Sequence, residues 1–101
     1  MTKLKEYKMY INGLWVDAEG KKTFKSLNPE NNEPWAIVPE ASAKDANQAV
    51  ESAQKAFEGE WPKLFPKERA KYLKAIASQL RKNAELLGKI ETIDTGKLFR
   101  E

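Results

Sequence analysis

A change of hydrophobic period near Glu40 limits most sharply what this chain can fold into. Before it, apolar residues alternate in short runs cut by Asn-Gly, Asn-Pro and single prolines. After it, they recur at three and four residues over stretches long enough for helices. The chain of 101 residues therefore reads as a mixed α/β layout, α+β in the sense that strands come first and helices follow. Residues 7–40 are expected to hold strands and turns and residues 42–96 two to three helices, all within one partial domain spanning 1–101.

Met9-Tyr10-Ile11 and Leu14-Trp15-Val16 flank Asn12-Gly13, a pair that tolerates the positive φ angles of a type I′ turn, which predicts a hairpin. Ala18 to Lys22 is a second turn, Thr23 to Leu27 a short alternating strand stopped by Asn28-Pro29, and Trp35 to Val38 a further extended run between Pro34 and Pro39. Strands this short leave no room for a closed barrel and need a partner surface. Ser42-Ala43-Lys44-Asp45 fits a capping box and opens a helix to about Phe57. Its apolar positions Ala46, Ala49, Val50, Ala53, Ala56 and Phe57 place a narrow, mostly alanine stripe on one side, whose small side chains permit close packing against something larger. After Gly59, Pro66 starts a second helix with Leu73, Ile76, Ala77 and Leu80 on its inner face. Asn83 is placed to cap a third, from Ala84 to about Thr95, with Leu87, Ile90 and Ile93 inward and Gly96 as its left-handed stop. Leu98 and Phe99 then have nothing following to pack on them.

Composition removes much familiar chemistry. With no Cys and no His the chain has no disulfide, no thiolate nucleophile, no imidazole base and no imidazole metal ligand. The net charge of +3 arises in the second half, where Lys63 to Lys82 hold seven basic residues against Glu68. Lys67, Lys71, Lys74 and Arg81 fall opposite the apolar face of the second helix, so this stripe reads as a solvated face and no nucleic-acid partner is expected. The first residues, MTKLKEYKMYING, have no apolar run suited to a signal or a membrane span, which predicts a cytoplasmic chain with no membrane partner. Gly96-Lys97 lacks the glycines and the hydroxyl of a phosphate loop, and Gly13, Gly20, Gly59, Gly88 and Gly96 stand too far apart for a dinucleotide fingerprint. Ser52-Ala-Gln-Lys55 spells Ser-x-x-Lys without its companion motifs. Glu91 and Asp94 share one side of a helix, either as a working carboxylate pair or as solvated charges beside Lys89 or Lys97. Trp15, Trp35 and Trp61 are expected as core or interface anchors. Spacing alone assigns no catalytic residue.

The order of these pieces resembles one family. Ile11-Asn12-Gly13-Leu14-Trp15-Val16, Asn28-Pro29, Ala49-Val50 with Ala56-Phe57 and Trp61, Glu68-Arg69, and Glu91-Thr92-Ile93-Asp94-Thr95-Gly96-Lys97 together are similar to the amino-terminal part of the NAD(P)-dependent aldehyde dehydrogenase superfamily. The resemblance runs from Met9 onward, with Asn32 where the family often has Gly and Leu98 where Pro often follows the Lys. It implies a fragment from the coenzyme-binding side of that fold, belonging to a longer enzyme that oxidises an aldehyde through a Cys thioester, uses NAD or NADP, and forms a homo-oligomer. On this reading the Cys, the Asn that stabilises the oxyanion, the glutamate base and the nucleotide loops all lie beyond Glu101, so no catalytic and no coenzyme-binding residue is carried over. The implied partners are the remainder of the same enzyme and, in the full-length form, the aldehyde. One site does map onto this chain. The resemblance implies a structural monovalent cation, K⁺ or Na⁺, held by the backbone carbonyls of Ser26 and Leu27 and by Asp94. A non-catalytic binding or assembly module with the same layout is the alternative.

Overall fold

The computed structural model of the protein describes residues 3–100. Two small sheets precede three helices, in the expected order. β1 is Lys5–Glu6, β2 Met9–Ile11, β3 Leu14–Val16, β4 Thr23–Asn28 and β5 Glu33–Pro39, followed by α1 (Ala43–Glu58), α2 (Pro66–Lys82) and α3 (Ala84–Thr95). β2 and β3 form the hairpin with Ile11 opposite Leu14, and the two loop residues have φ of 53° at Asn12 and 76° at Gly13. Those angles match the right-handed twist of the strands they join. In the second turn the left-handed residue is Lys21, with φ of 56°, and not Gly20. Its N–H donates to the carbonyl of the buried Ala18 at 2.8 Å, which holds the turn closed.

The larger sheet has the order β1-β5-β4. β1 starts before the strand region expected from residue 7 and pairs parallel with β5 at Ala36 and Ile37. Two residues are too few to show alternation in a sequence. β4 and β5 are antiparallel and longer than the periodic runs that announced them, with Pro34 and Pro39 at the ends of β5, where a missing N–H is tolerated. The register slips between Ser26 and Leu27: Ser26 faces Ala36 whereas Leu27 faces Pro34, so Trp35 is an extra residue on β5. Such a bulge turns a side chain away from strict alternation.

Ser42 caps α1 by accepting from the Asp45 N–H at 3.2 Å, and the Asp45 carboxylate accepts in return from the Ser42 N–H at 2.9 Å. The same carboxylate reaches the preceding turn and accepts from the Glu19 N–H at 3.1 Å with either oxygen. Asp45, at 4% exposure, is the buried residue of α1, and Ala49 and Ser52 beside it are half-buried. Most of the apolar stripe is left uncovered by this chain: Val50 and Phe57 are each 68% exposed, and Ala46, Ala53 and Ala56 are exposed with them. The polar anchor holds the start of α1 against the preceding turn, with Asp45, Ala49 and Ser52 on one helical face. α2 begins at Pro66, where Glu68 accepts from the Phe65 N–H at 3.2 Å. Its expected inner face is also open, with Leu73 64% exposed, Ile76 and Leu80 little less so, and Ala77 half-buried. The basic stripe is thus the complement of a face that this chain leaves uncovered. Asn83 caps differently from expectation: its side-chain amide donates to the Gln79 carbonyl at 2.9 Å, closing α2, and makes no side-chain bond to the start of α3. Ile90 and Ile93 are half-buried, but Leu87 is exposed. α3 stops at Gly96, whose φ is 79°. Phe99 folds back to pack on Gly88 rather than trailing free, and Leu98 stays exposed.

A radius of gyration of 17.1 Å, against about 13 Å for a compact domain of this length, agrees with these open faces. Tyr72, Ile76, Leu80, Leu86 and Leu87 line an apolar trough of 470 Å³ where α2 and α3 diverge. The tryptophans are not core residues: Trp15 is 70% exposed and stacked on Tyr10, Trp61 rests on Tyr72, and only Trp35 is half-buried.

Two measurements check this account. The N–H groups of Ser42 and then Glu19, bonded to the ionised Asp45, hold its carboxyl below the ordinary 3.8, with burial opposing and the Ser42 hydroxyl and Lys44 charge assisting. A lowered folded value means stability that is present above the ordinary value and lost as pH falls through the folded one. Acid unfolding followed by circular dichroism is expected to begin below about pH 4 and to be blunted in Asp45→Asn, while Ser42→Ala costs about 1 kcal/mol at neutral pH. The second concerns Gly96, where an added Cβ would lie 3.2 Å from Pro29 Cγ on top of the positive φ. Gly96→Ala is expected to lose about 1–2 kcal/mol in denaturant titrations. Gly20→Ala, whose nearest neighbour would be the flexible Lys22 side chain at 3.9 Å, is expected to lose much less.

Candidate functional site

α3 packs against β4 of the larger sheet. Phe24 and Ser26 alternate onto one face of β4, and their partners Val38 and Ala36 bring the same face of β5 beside them. In a regular strand Trp35 would point away from Ala36. The bulge brings it to the same side, where Trp35, Tyr7, Phe24, Ser26, Ala36 and Val38 line a cleft of 390 Å³ with Ile90 and Asp94 of α3. Ile90 and Asp94 are one helical turn apart, so a single face of α3 supplies both. Tyr7 meets Trp35 edge to face, with ring centroids 6.0 Å apart and an interplanar angle of 71°. The Tyr7 hydroxyl is buried and has no hydrogen-bond partner among the described residues.

Asp94 is the polar centre of this cleft. Its Oδ1 accepts from the Trp35 indole Nε1 at 3.1 Å and from the Ser26 hydroxyl. The end of α3 is held over β4 by the chain that follows: the Gly96 N–H donates to the Thr92 carbonyl at 2.9 Å, and Gly96 abuts Pro29. The turn after β4 is rigid in its own right. Asn28 Oδ1 accepts from the Glu30 N–H at 2.9 Å, the Asn32 N–H donates to the Asn28 carbonyl at 2.7 Å, and Asn32 adopts a φ of 58°, which Asn tolerates where Gly is more usual.

Of the three residues in the cation set, Ser26 and Asp94 are in contact through the Ser26 hydroxyl and not through its carbonyl, and Leu27 follows Ser26 at the register slip with its side chain exposed. The chemistry suits a monovalent ion better than a divalent one. No group of three or more Asp, Glu, His or Cys side chains is gathered to hold a metal among the described residues, whereas a single carboxylate at the negative end of a helix dipole offers hard oxygens with little formal charge. The local alternatives do not form: Lys89 pairs with Glu85 at 3.2 Å, and no ion pair joins Lys89 or Lys97 to Glu91 or Asp94 among the described residues. The donor that sequence reasoning missed is Trp35. Its only signal was Pro34, whose missing N–H weakens the ladder at that point.

Gly13 and Gly96 serve turns, Gly88 lies under Phe99, and no two glycines meet at a helix start.

Comparison with known proteins agrees with the geometry. The sequence model of the aldehyde dehydrogenase family matches residues 15–101. Aldehyde dehydrogenase family 2 member C4 of Arabidopsis thaliana is 38% identical over 99% of this chain and 20% of its own length. Among solved structures, an NAD-dependent aldehyde dehydrogenase from Sinorhizobium meliloti superposes with a TM-score of 0.91 at 33% identity, over 96% of this chain and 20% of that one. Betaine aldehyde dehydrogenase from Staphylococcus aureus, solved with NAD⁺, superposes at 0.88 with 38% identity, over 92% and 19%. The chain thus spans about a fifth of the length of the curated relatives it matches. With the family model matching residues 15–101 and the backbone superposing at a TM-score of 0.91, the chain belongs to the aldehyde dehydrogenase family.

Proposed function

We propose that this chain serves as the amino-terminal structural part of an enzyme that oxidises an aldehyde to a carboxylic acid through a Cys thioester, with NAD or NADP as hydride acceptor. The observation that carries this reading is the superposition of 92% of the chain on an NAD⁺-bound betaine aldehyde dehydrogenase, of which it matches 19%. The open faces of α1 and α2 and the apolar trough at Ile76, Leu80 and Leu87 support it, because surfaces of this kind are covered when a neighbouring segment is present. In this role the chain's own residues scaffold. They carry neither the nucleophile nor the coenzyme, and the aldehyde, the cytoplasmic setting and assembly as a homo-oligomer belong to the same proposal.

A monovalent cation, K⁺ or Na⁺, completes the scaffold on this reading, with the Ser26 and Leu27 carbonyls and Asp94 as ligands. It would join the end of α3 to the end of β4 without burying extra charge. The support is the approach of Asp94 to Ser26 across 68 residues of sequence.

The 101-residue chain alone is expected to give no NADH from a panel of aldehydes and no NAD binding by calorimetry. Fused to the remaining four fifths or so of the S. aureus enzyme, it is expected to restore soluble, NADH-producing protein. Micromolar NAD binding by the isolated chain, or a fusion that folds but stays inactive, contradicts the proposal. For the cation, replacing a large organic cation with K⁺ is expected to raise the melting temperature of the fusion, and Asp94→Ala to remove that increment. An Asp94→Ala protein with the full K⁺ response places the ion elsewhere.

A further inference from the structure

Asp94 is exposed and sits in the last turn of a helix, where an Asp side chain ordinarily samples several rotamers. Here it does not have that freedom. Two donors from different elements converge on one of its oxygens: the Ser26 hydroxyl from β4 and the Trp35 Nε1–H from the bulge of β5, the latter at 3.1 Å. Together they use Oδ1 and leave Oδ2 without a hydrogen-bond partner among the described residues. Trp35 is itself held, edge to face, by Tyr7, and its indole reaches Asp94 only because the register slip between Ser26 and Leu27 makes it the extra residue of its strand.

We infer that Ser26 and Trp35 are the positioning residues of the cation site, fixing the Asp94 carboxylate through Oδ1 so that Oδ2 is left for the ion. This rests on the cation reading above. Neither side chain ligates the ion in this account. The Ser26 hydroxyl and the Trp35 indole act through Asp94, as groups that orient a ligand commonly do, and removing such a partner weakens metal affinity roughly 10- to 100-fold. Ser26 has two separable parts, a side chain that orients the carboxylate and a main-chain carbonyl that would coordinate, so only the first is removed by Ser26→Ala. Neutral donors also suit the task. A Lys or Arg in their place would orient the carboxylate equally well but would cancel the charge that attracts a cation.

The test titrates K⁺, with Tl⁺ as a spectroscopic substitute, into the 101-residue chain and into its fusion with the S. aureus enzyme, following the indole N–H resonances. The Trp35 resonance is expected to move on K⁺ addition while those of Trp15 and Trp61, exposed and remote from Asp94, stay in place. Trp35→Phe, which keeps the edge contact with Tyr7, and Ser26→Ala are each expected to weaken K⁺ affinity about 10-fold. Ser26→Thr, which keeps the hydroxyl and suits a strand, is expected to restore it. If Asp94→Ala abolishes K⁺ binding but Trp35→Phe and Ser26→Ala retain it within about twofold, the positioning role is wrong and the cation reading survives. If wild type shows no K⁺ response in either protein, both fail. Ser26→Ala removes only one hydroxyl and still decides the matter if Trp35→Phe does not fold.

Discussion

Asp45 accepts from the Glu19 N–H and from the Ser42 N–H, and these bonds join the strand-and-turn half of the chain to its first helix. Few other residues are as buried: the apolar ones are Ala18, next to Glu19, and Ala36 at the centre of the larger sheet. A buried carboxylate is costly unless its hydrogen bonds are made, and here backbone donors of two elements make them. The rest of α1 follows from that anchor. With Asp45 held inward, helical geometry turns Ala49 and Ser52 toward the strands and Val50 and Phe57 toward solvent.

The open surfaces have a common physical origin. Small side chains cannot bury much area: with Ala18 and Ala36 as the buried apolar residues among those described, the chain has thin joints and not a core. The larger apolar residues, Leu73, Ile76, Leu80 and Leu87, lie on helices that diverge at Asn83, where the side chain closes α2 instead of starting α3. Their patterning is that of buried helix faces although this chain does not bury them. That mismatch between pattern and exposure fits a segment covering about a fifth of its relatives' length.

The second joint, at Asp94, differs in kind from the first. Asp45 bonds to residues on its own helix cap and to a turn 26 residues earlier, whereas Asp94 bonds to strands 68 and 59 residues away. One carboxylate ties α1 to the turn after the hairpin and the other ties α3 to the bulged sheet. Between them they set the separation of the helices from the strands. The Asn28 turn and the left-handed Gly96 bring the ends of β4 and α3 together, so that the cleft forms where both elements stop.

By itself the sequence determined what depends on neighbours along the chain. Asn12-Gly13 dictated the hairpin, Ser42 with Asp45 the start of α1, Pro66 that of α2 and Gly96 the end of α3, because turns and caps are satisfied within a few residues. The ordered motifs from Ile11 to Lys97 likewise pointed to the family. Tertiary structure alone decided which face of each helix is covered, that Lys5–Glu6 joins β5, that Trp35 is displaced by a bulge, and that its indole meets Asp94. These outcomes depend on register between distant strands and on which competing contact wins. Period records only where apolar residues recur, not what they meet.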